Sequence, residues 1–147
     1  MAAFTDVQGR AWEVAVNYGA MRRVRESLSV NLMEVVGGEL LQRITSDPVL
    51  LIDILYWVLK PQADERNISI NDFAEIFDGD TVYNASMALR DSIINFFPKD
   101  KRAAAKRMVE RVDRIADEMW QKMERELDDQ FPTDAGMPSI TPPESSE

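Results

Sequence analysis

Near its start the chain alternates. Trp12, Val14 and Val16 are separated by Glu13, Ala15 and Asn17, the period-two pattern of a half-buried strand. Ala3 to Val7 lie just before, and between them Gln8-Gly9 offers a glycine that can take a positive φ in a tight turn. The pattern predicts a β-hairpin in which about 3–7 pair with 11–17. Two strands alone are marginal in water, so this hairpin must pack on helices.

From Tyr18 the period becomes helical. Met21, Val24, Arg25 and Leu28 share one face, with Arg22, Arg23 and Glu26 on the wet side, and Asn31 stands where it can cap Leu32-Met33. Gly37-Gly38 predicts a bend or boundary, because each glycine inside a helix costs about 1 kcal/mol. Leu40, Leu41 and Ile44 then resume a helical face. Asp47-Pro48 is a strong helix start: the carboxylate caps free amides, and proline suits the first helical position. The helix from Val49 to Leu59 is apolar nearly all round, which predicts a central position, and it stops at Lys60-Pro61.

Gln62 to Ile68 reads as a polar connection. Ser69-Ile70-Asn71-Asp72 has capping-box form and opens a helix that presents Phe73, Ile76 and Phe77 and ends near Gly79. Asp80 is expected to cap the next helix, whose face carries Val82, Ala85, Leu89, Ile93 and Phe96 before Pro98 ends it.

Residues 99–129 form one long helical pattern without proline or glycine. Its stripe is Ala105, Met108, Val112, Ile115, Met119, Met123 and Leu127, widened by Val109, Ala116 and Trp120. At about 1.5 Å per residue it reaches ~46 Å. From Gln130 prolines, serines and threonines replace the periodicity, and 130–147 is expected to be a disordered tail. The predicted architecture is mainly α: an N-terminal β-hairpin packed on a compact helical bundle (1–98), a long amphipathic helix (99–129), and the tail (130–147). The first half of the stripe is expected to complete the core or form a homodimer seam. The second half, rich in methionine, is expected to bind a partner, since flexible thioethers suit surfaces that accept varied apolar shapes. Met108, Ile115, Met119, Trp120 and Met123 are the candidate contact residues, with Met21 and Val24 as outlying candidates.

Composition narrows the chemistry. In 147 residues there is room for one core of ordinary size, and the chain has neither histidine nor cysteine. Thiol nucleophiles, disulfides, the usual zinc sites and any histidine base are thereby removed, so no enzyme, cofactor or metal is expected. The net charge of −9 repels phosphate backbones. Arg22, Arg23 and Arg25, with Arg10 nearby, are read as a solvated helix face pairing with acids elsewhere. Asp78-Gly79-Asp80 resembles part of a calcium loop, but the fifth and twelfth positions are Val82 and Leu89, so capping explains both aspartates. Asp53, on the most apolar helix, is expected at a wet edge or beside an arginine. The opening residues do not read as a signal peptide, and the Val49–Leu59 run is far below the ~20 residues of a membrane span. A soluble cytoplasmic protein is expected.

Several segments carry a family likeness: Phe4-Thr5-Asp6, Gly9-Arg10-Ala11-Trp12, the helix ending at Leu28, Asn31-Leu32, the run from Asp47-Pro48 to Tyr56, Lys60 to Asp64, and Phe96-Phe97-Pro98 before a basic stretch. Together, over about residues 4–110, the chain resembles the tail assembly chaperones of long-tailed bacteriophages and prophages. The resemblance implies a non-enzymatic protein of the host cytoplasm, absent from the mature virion. It would bind the tape measure protein, keep it soluble, and leave as tail tube subunits polymerise around it. In related genes ribosomal frameshifting extends the C-terminus to recruit tube protein. Self-association, the host and the bound segment stay open.

Two other classes remain at this point. A minor tail or connector subunit would be found in purified particles. A helical DNA-binding regulator would read the helices around Gly79 as a helix-turn-helix, against which stands the acidic character of 69–80.

Overall fold

A computed structural model describes residues 2–35 and 39–131. The chain is mainly α, with one two-stranded antiparallel sheet. Gly37-Gly38 and the tail from 132 lie outside the described residues. Two compact units are distinguished, one through Glu110 and one from Arg111.

In the first unit, β1 (Ala2–Thr5) pairs with β2 (Ala11–Val14), Phe4 opposite Trp12. Each strand ends sooner than expected, β1 at Thr5 and β2 at Val14, but the inward face is the one the alternation gives: Phe4, Trp12 and Val14 are buried. Gly9 takes φ +85 in the connection, a conformation that favours glycine. Asp6 organises the rest of that loop. Its Oδ1 accepts from the backbone N–H of Gln8 (2.8 Å) and Arg10 (3.1 Å), and its Oδ2 from Arg10 Nε and Trp12 Nε1, both at 2.9 Å.

Helix α1 (Tyr18–Leu28) starts on Asn17, whose side chain accepts from Ala20 N. Its buried residues are Ala20 and Val24. Arg23 departs from expectation: rather than facing water, it donates from Nε to Trp57 O (2.8 Å) and from a terminal nitrogen to Val58 O (3.0 Å). A 3₁₀ turn (Leu32–Val35) follows, with Asn31 Oδ1 accepting from Met33 N, and then α2 (Leu40–Ser46). Helix α3 (Pro48–Val58) begins on Asp47, which accepts from Leu50 N. It touches α1, α2 and the three helices that come next, the central position its apolar surface predicts. Arg23 places a cation on the α3 C-terminal carbonyls, where helix end and charge attract.

The supposed polar connection after α3 is helical. Helix α4 (Lys60–Glu65) carries Pro61 in its first turn, where proline starts a helix as readily as it ends one. Helix and cap meet the outer edge of β2: the Gln62 amide donates to Glu13 O (2.7 Å) and accepts from Glu13 N (3.1 Å), and Arg66, the residue that caps the helix C-terminus, donates to Ala11 O (2.8 Å). Helix α5 (Ile70–Ala74) opens on Ser69, which accepts from Asp72 N, as the capping pattern indicates. It stops at Ala74, earlier than expected. Phe73 is fully buried and lies edge-on to Trp12 (5.4 Å), Tyr56 (5.5 Å) and Phe77 (5.1 Å), joining hairpin, α3 and α5 in one aromatic cluster.

Helix α6 (Gly79–Phe96) is capped by Asp78, not Asp80: Asp78 Oδ1 accepts from Thr81 N at 2.8 Å, and Asp80 sits in the first turn. Ala85, Leu89 and Ile93 are buried as expected, whereas Val82 and Phe96 are only half-buried. Helix α6 lies against β1, and Ser92 Oγ accepts from Val16 N just after β2. Pro98 then separates α6 from α7 (Lys99–Gln130). The part of α7 within the first unit buries Ala105 and Val109 and leaves Met108 41% exposed.

Candidate partner-binding surface

The second unit contains the longer part of α7. The chain from 99 to 131 has no proline or glycine, and alanine, leucine, methionine, arginine, lysine and glutamate, all strong helix formers, make up most of it. Phe131 N still donates to Leu127 O at 2.7 Å, so the helical bond pattern runs to the last described residue.

Between Arg111 and Phe131 no described residue is buried. Met119 and Trp120 are 66% and 65% exposed and Phe131 60%, while Ile115, Met123 and Leu127 are roughly half exposed. Val112 and Ala116 are half-buried. These residues follow one another at helical spacing, and three pairs recur eleven residues apart: Val112 and Met123, Ala116 and Leu127, Trp120 and Phe131. An eleven-residue recurrence is about 3.67 residues per turn, close to the 3.6 of a straight helix, so the stripe stays nearly parallel to the helix axis. From Val112 to Phe131 it extends ~28 Å. A contiguous exposed apolar strip of this kind is a candidate interaction surface, whereas isolated apolar residues would not be.

Of the five candidate contacts, Ile115, Met119, Trp120 and Met123 lie on this stripe, and Met108 is in the first unit. Leu127 and Phe131 extend the stripe. Phe131 was hidden by the proline-rich composition that begins around it; its signal was the four-residue step from Leu127. Of the outlying candidates, Val24 is fully buried in the core, and Met21 is half-buried and lines a groove of about 330 Å³ with Tyr18, Arg22, Arg25 and Asn31.

The expected basic face pairs with acids at Arg10 and Arg22, and departs from expectation at Arg23. Arg10 is bound to Asp6, Arg22 to Glu26 at 3.0 Å, and Arg23 to the end of α3. Asp53 is half-buried, and partial burial with the neighbouring Asp47 charge pushes its carboxyl above the ordinary range. Among the described residues no group of three or more histidine, cysteine, aspartate or glutamate side chains could hold a metal ion. No helix among them is long and apolar enough to cross a membrane.

The stripe's charged flanks are unequal. Between Ile115 and Phe131 there are six acidic residues and two basic ones. Asp128 and Asp129 stand at the C-terminal end, whose last turn has no basic residue. What this surface can do is dock a second amphipathic element along one side.

Comparison with known proteins finds no family model, no curated protein and no solved structure that matches the chain.

Proposed function

We propose that the chain is a non-enzymatic chaperone of phage tail assembly, which binds the tape measure protein and keeps it soluble until tail tube subunits polymerise around it. One observation carries this reading: the exposed, methionine-rich stripe of α7, with Met119 and Trp120 at its centre. Such a face suits an amphipathic helix laid along it, and a tape measure protein is a long helical chain that aggregates when alone. Release needs no nucleotide or metal; tube subunits compete for the same partner and shift the equilibrium by mass action. The chaperone acts in the host cytoplasm and does not stay in the virion. The likeness of 4–110 to tail assembly chaperones supports the same assignment.

Co-expression with the tape measure protein of the same tail module, followed by affinity pull-down and size exclusion, tests the proposal. A soluble complex is expected, lost in a folded Met119→Glu/Trp120→Glu variant. A tape measure protein that stays insoluble while this chain elutes alone would overturn it. Stoichiometric recovery of the chain from purified particles would make it a structural tail subunit instead.

A further inference from the structure

Resting on that reading, we infer that the occupant of the α7 stripe is a basic amphipathic helix, one whose apolar face is flanked by lysine or arginine. The stripe is a property of shape and hydrophobicity; the flanks decide what kind of helix fits it. Between Ile115 and Phe131 acids outnumber bases by six to two, and over the whole second unit to Phe131 by seven to four.

Intrahelical pairing accounts for these acids only in part: Glu126 stands four residues after Lys122, and Asp128 and Asp129 share Arg125 three and four residues before them, but Glu124 has no cation at either spacing. A helix carries partial negative charge at its C-terminus, so cations there stabilise it and anions oppose it. The last two turns hold Glu124, Glu126, Asp128 and Asp129 against Arg125 alone. Acids gathered where they weaken their own helix lower their energy when a cationic partner arrives, so the electrostatic gain on binding is largest at this end.

A second copy is a poor occupant. Two acidic stripes laid together bring net negative flanks face to face, and like charges across an interface are unfavourable. Anionic lipid and nucleic acid are repelled for the same reason. A basic helix with an apolar face satisfies both features of the surface at once.

Two dye-labelled helical peptides with the same apolar face, one flanked by lysines and one by glutamates, are titrated against the full chain and read by fluorescence anisotropy. The lysine-flanked peptide is expected to bind at least about tenfold more tightly, as several weak charge pairs together allow. That ratio should shrink at high salt, where exposed charges are screened. It should reverse in a Glu124→Lys/Asp128→Lys/Asp129→Lys variant, and binding should be lost in Trp120→Glu. Equal binding of both peptides overturns the charge selectivity while leaving an apolar docking face. If neither peptide binds yet the tape measure complex forms, the inference falls and the proposed function stands. If the lysine-flanked peptide binds and no tape measure complex forms, the reverse holds. Light scattering that shows a dimer dissolved by Trp120→Glu assigns the stripe to a second copy and overturns the inference.

Discussion

The indole N–H of Trp12 donates to Oδ2 of Asp6 at 2.9 Å, beneath the loop that joins the two strands. Both residues are almost wholly buried, and the guanidinium of Arg66 lies over the indole ring at 4.3 Å. One carboxylate thus fixes the turn, the Arg10 side chain and the largest side chain of the core. Asp6→Asn puts an amide where at least one donor, Trp12 or Arg10, needs an acceptor. Loss of buried, charge-assisted bonds of this kind costs about 2–3 kcal/mol. Urea unfolding of Asp6→Asn at neutral pH should show that loss in midpoint with an unchanged slope.

Acid should remove the same contribution. Burial pushes the Asp6 carboxyl up, but hydrogen bonds from the Trp12 indole, from Arg10 through backbone and side chain, and from the Gln8 N–H outweigh it, so its pKa lies below the ordinary range. A depressed folded pKa gives stability that is fully present above the unfolded value of about 3.9 and is lost as pH falls through the folded one. Between neutral and strongly acidic pH, the natural chain should therefore lose more stability than Asp6→Asn does. Parallel unfolding curves across that range would show that the carboxylate does not carry the hairpin.

Asp53 has the opposite sign. Partial burial first, and Asp47 second, raise its pKa, so its charge opposes folding at neutral pH and the penalty disappears as pH falls below the unfolded value. Asp53→Asn should raise the thermal midpoint at neutral pH and match the natural chain in strong acid. A lower midpoint at neutral pH would mean that the carboxylate holds a stabilising contact.

Arg23 should behave as a structural residue despite its basic neighbours. Arg23→Gln cannot reach both the Trp57 and Val58 carbonyls at 2.8 and 3.0 Å and lacks the charge that suits a helix C-terminus. About 1–2 kcal/mol is expected to be lost. Arg22→Gln, which breaks only an exposed pair with Glu26, should change stability by less than about 0.5 kcal/mol.

Along α7 the same substitution should have two outcomes. Val109→Glu places a charge at a site only 5% exposed and should unfold or severely destabilise the first unit. Trp120→Glu and Met119→Glu sit on open surface and should change stability by less than about 0.5 kcal/mol. Circular dichroism melts of the three variants separate core from surface before any partner is added.

Much of the fold was legible because local chemistry and packing agree. Alternation placed Phe4, Trp12 and Val14 inward; Asp47-Pro48 and Ser69 marked helix starts; and α3 took the central place its apolar surface demands. Where reading failed, one residue had two physical uses. Pro61 reads as a terminator of α3, yet the same missing N–H suits the first turn of α4. Two aspartates flank Gly79, and spacing alone does not tell which one caps α6. Arg23 looks solvated on its own helix because the carbonyls it binds belong to α3, thirty-four residues away. The α7 stripe was visible from its period. Its methionines pointed to an open second half, whereas the period alone does not decide exposure, because a helix that completes a core and one that awaits a partner share the same amphipathic pattern.

The Gln62 amide and Arg66 bear on how the chain behaves in a crowd. By occupying the N–H and carbonyl of Glu13 and the carbonyl of Ala11, they end the sheet at two strands on the β2 side. A strand edge left open is a template on which another extended chain can add, and repeated addition leads to fibres. Here that template is covered by one side chain from a six-residue helix and one from its C-terminal cap, with no third strand required. Any chain at high local concentration is exposed to that hazard. On this side of the hairpin the protein has a border its neighbours cannot extend.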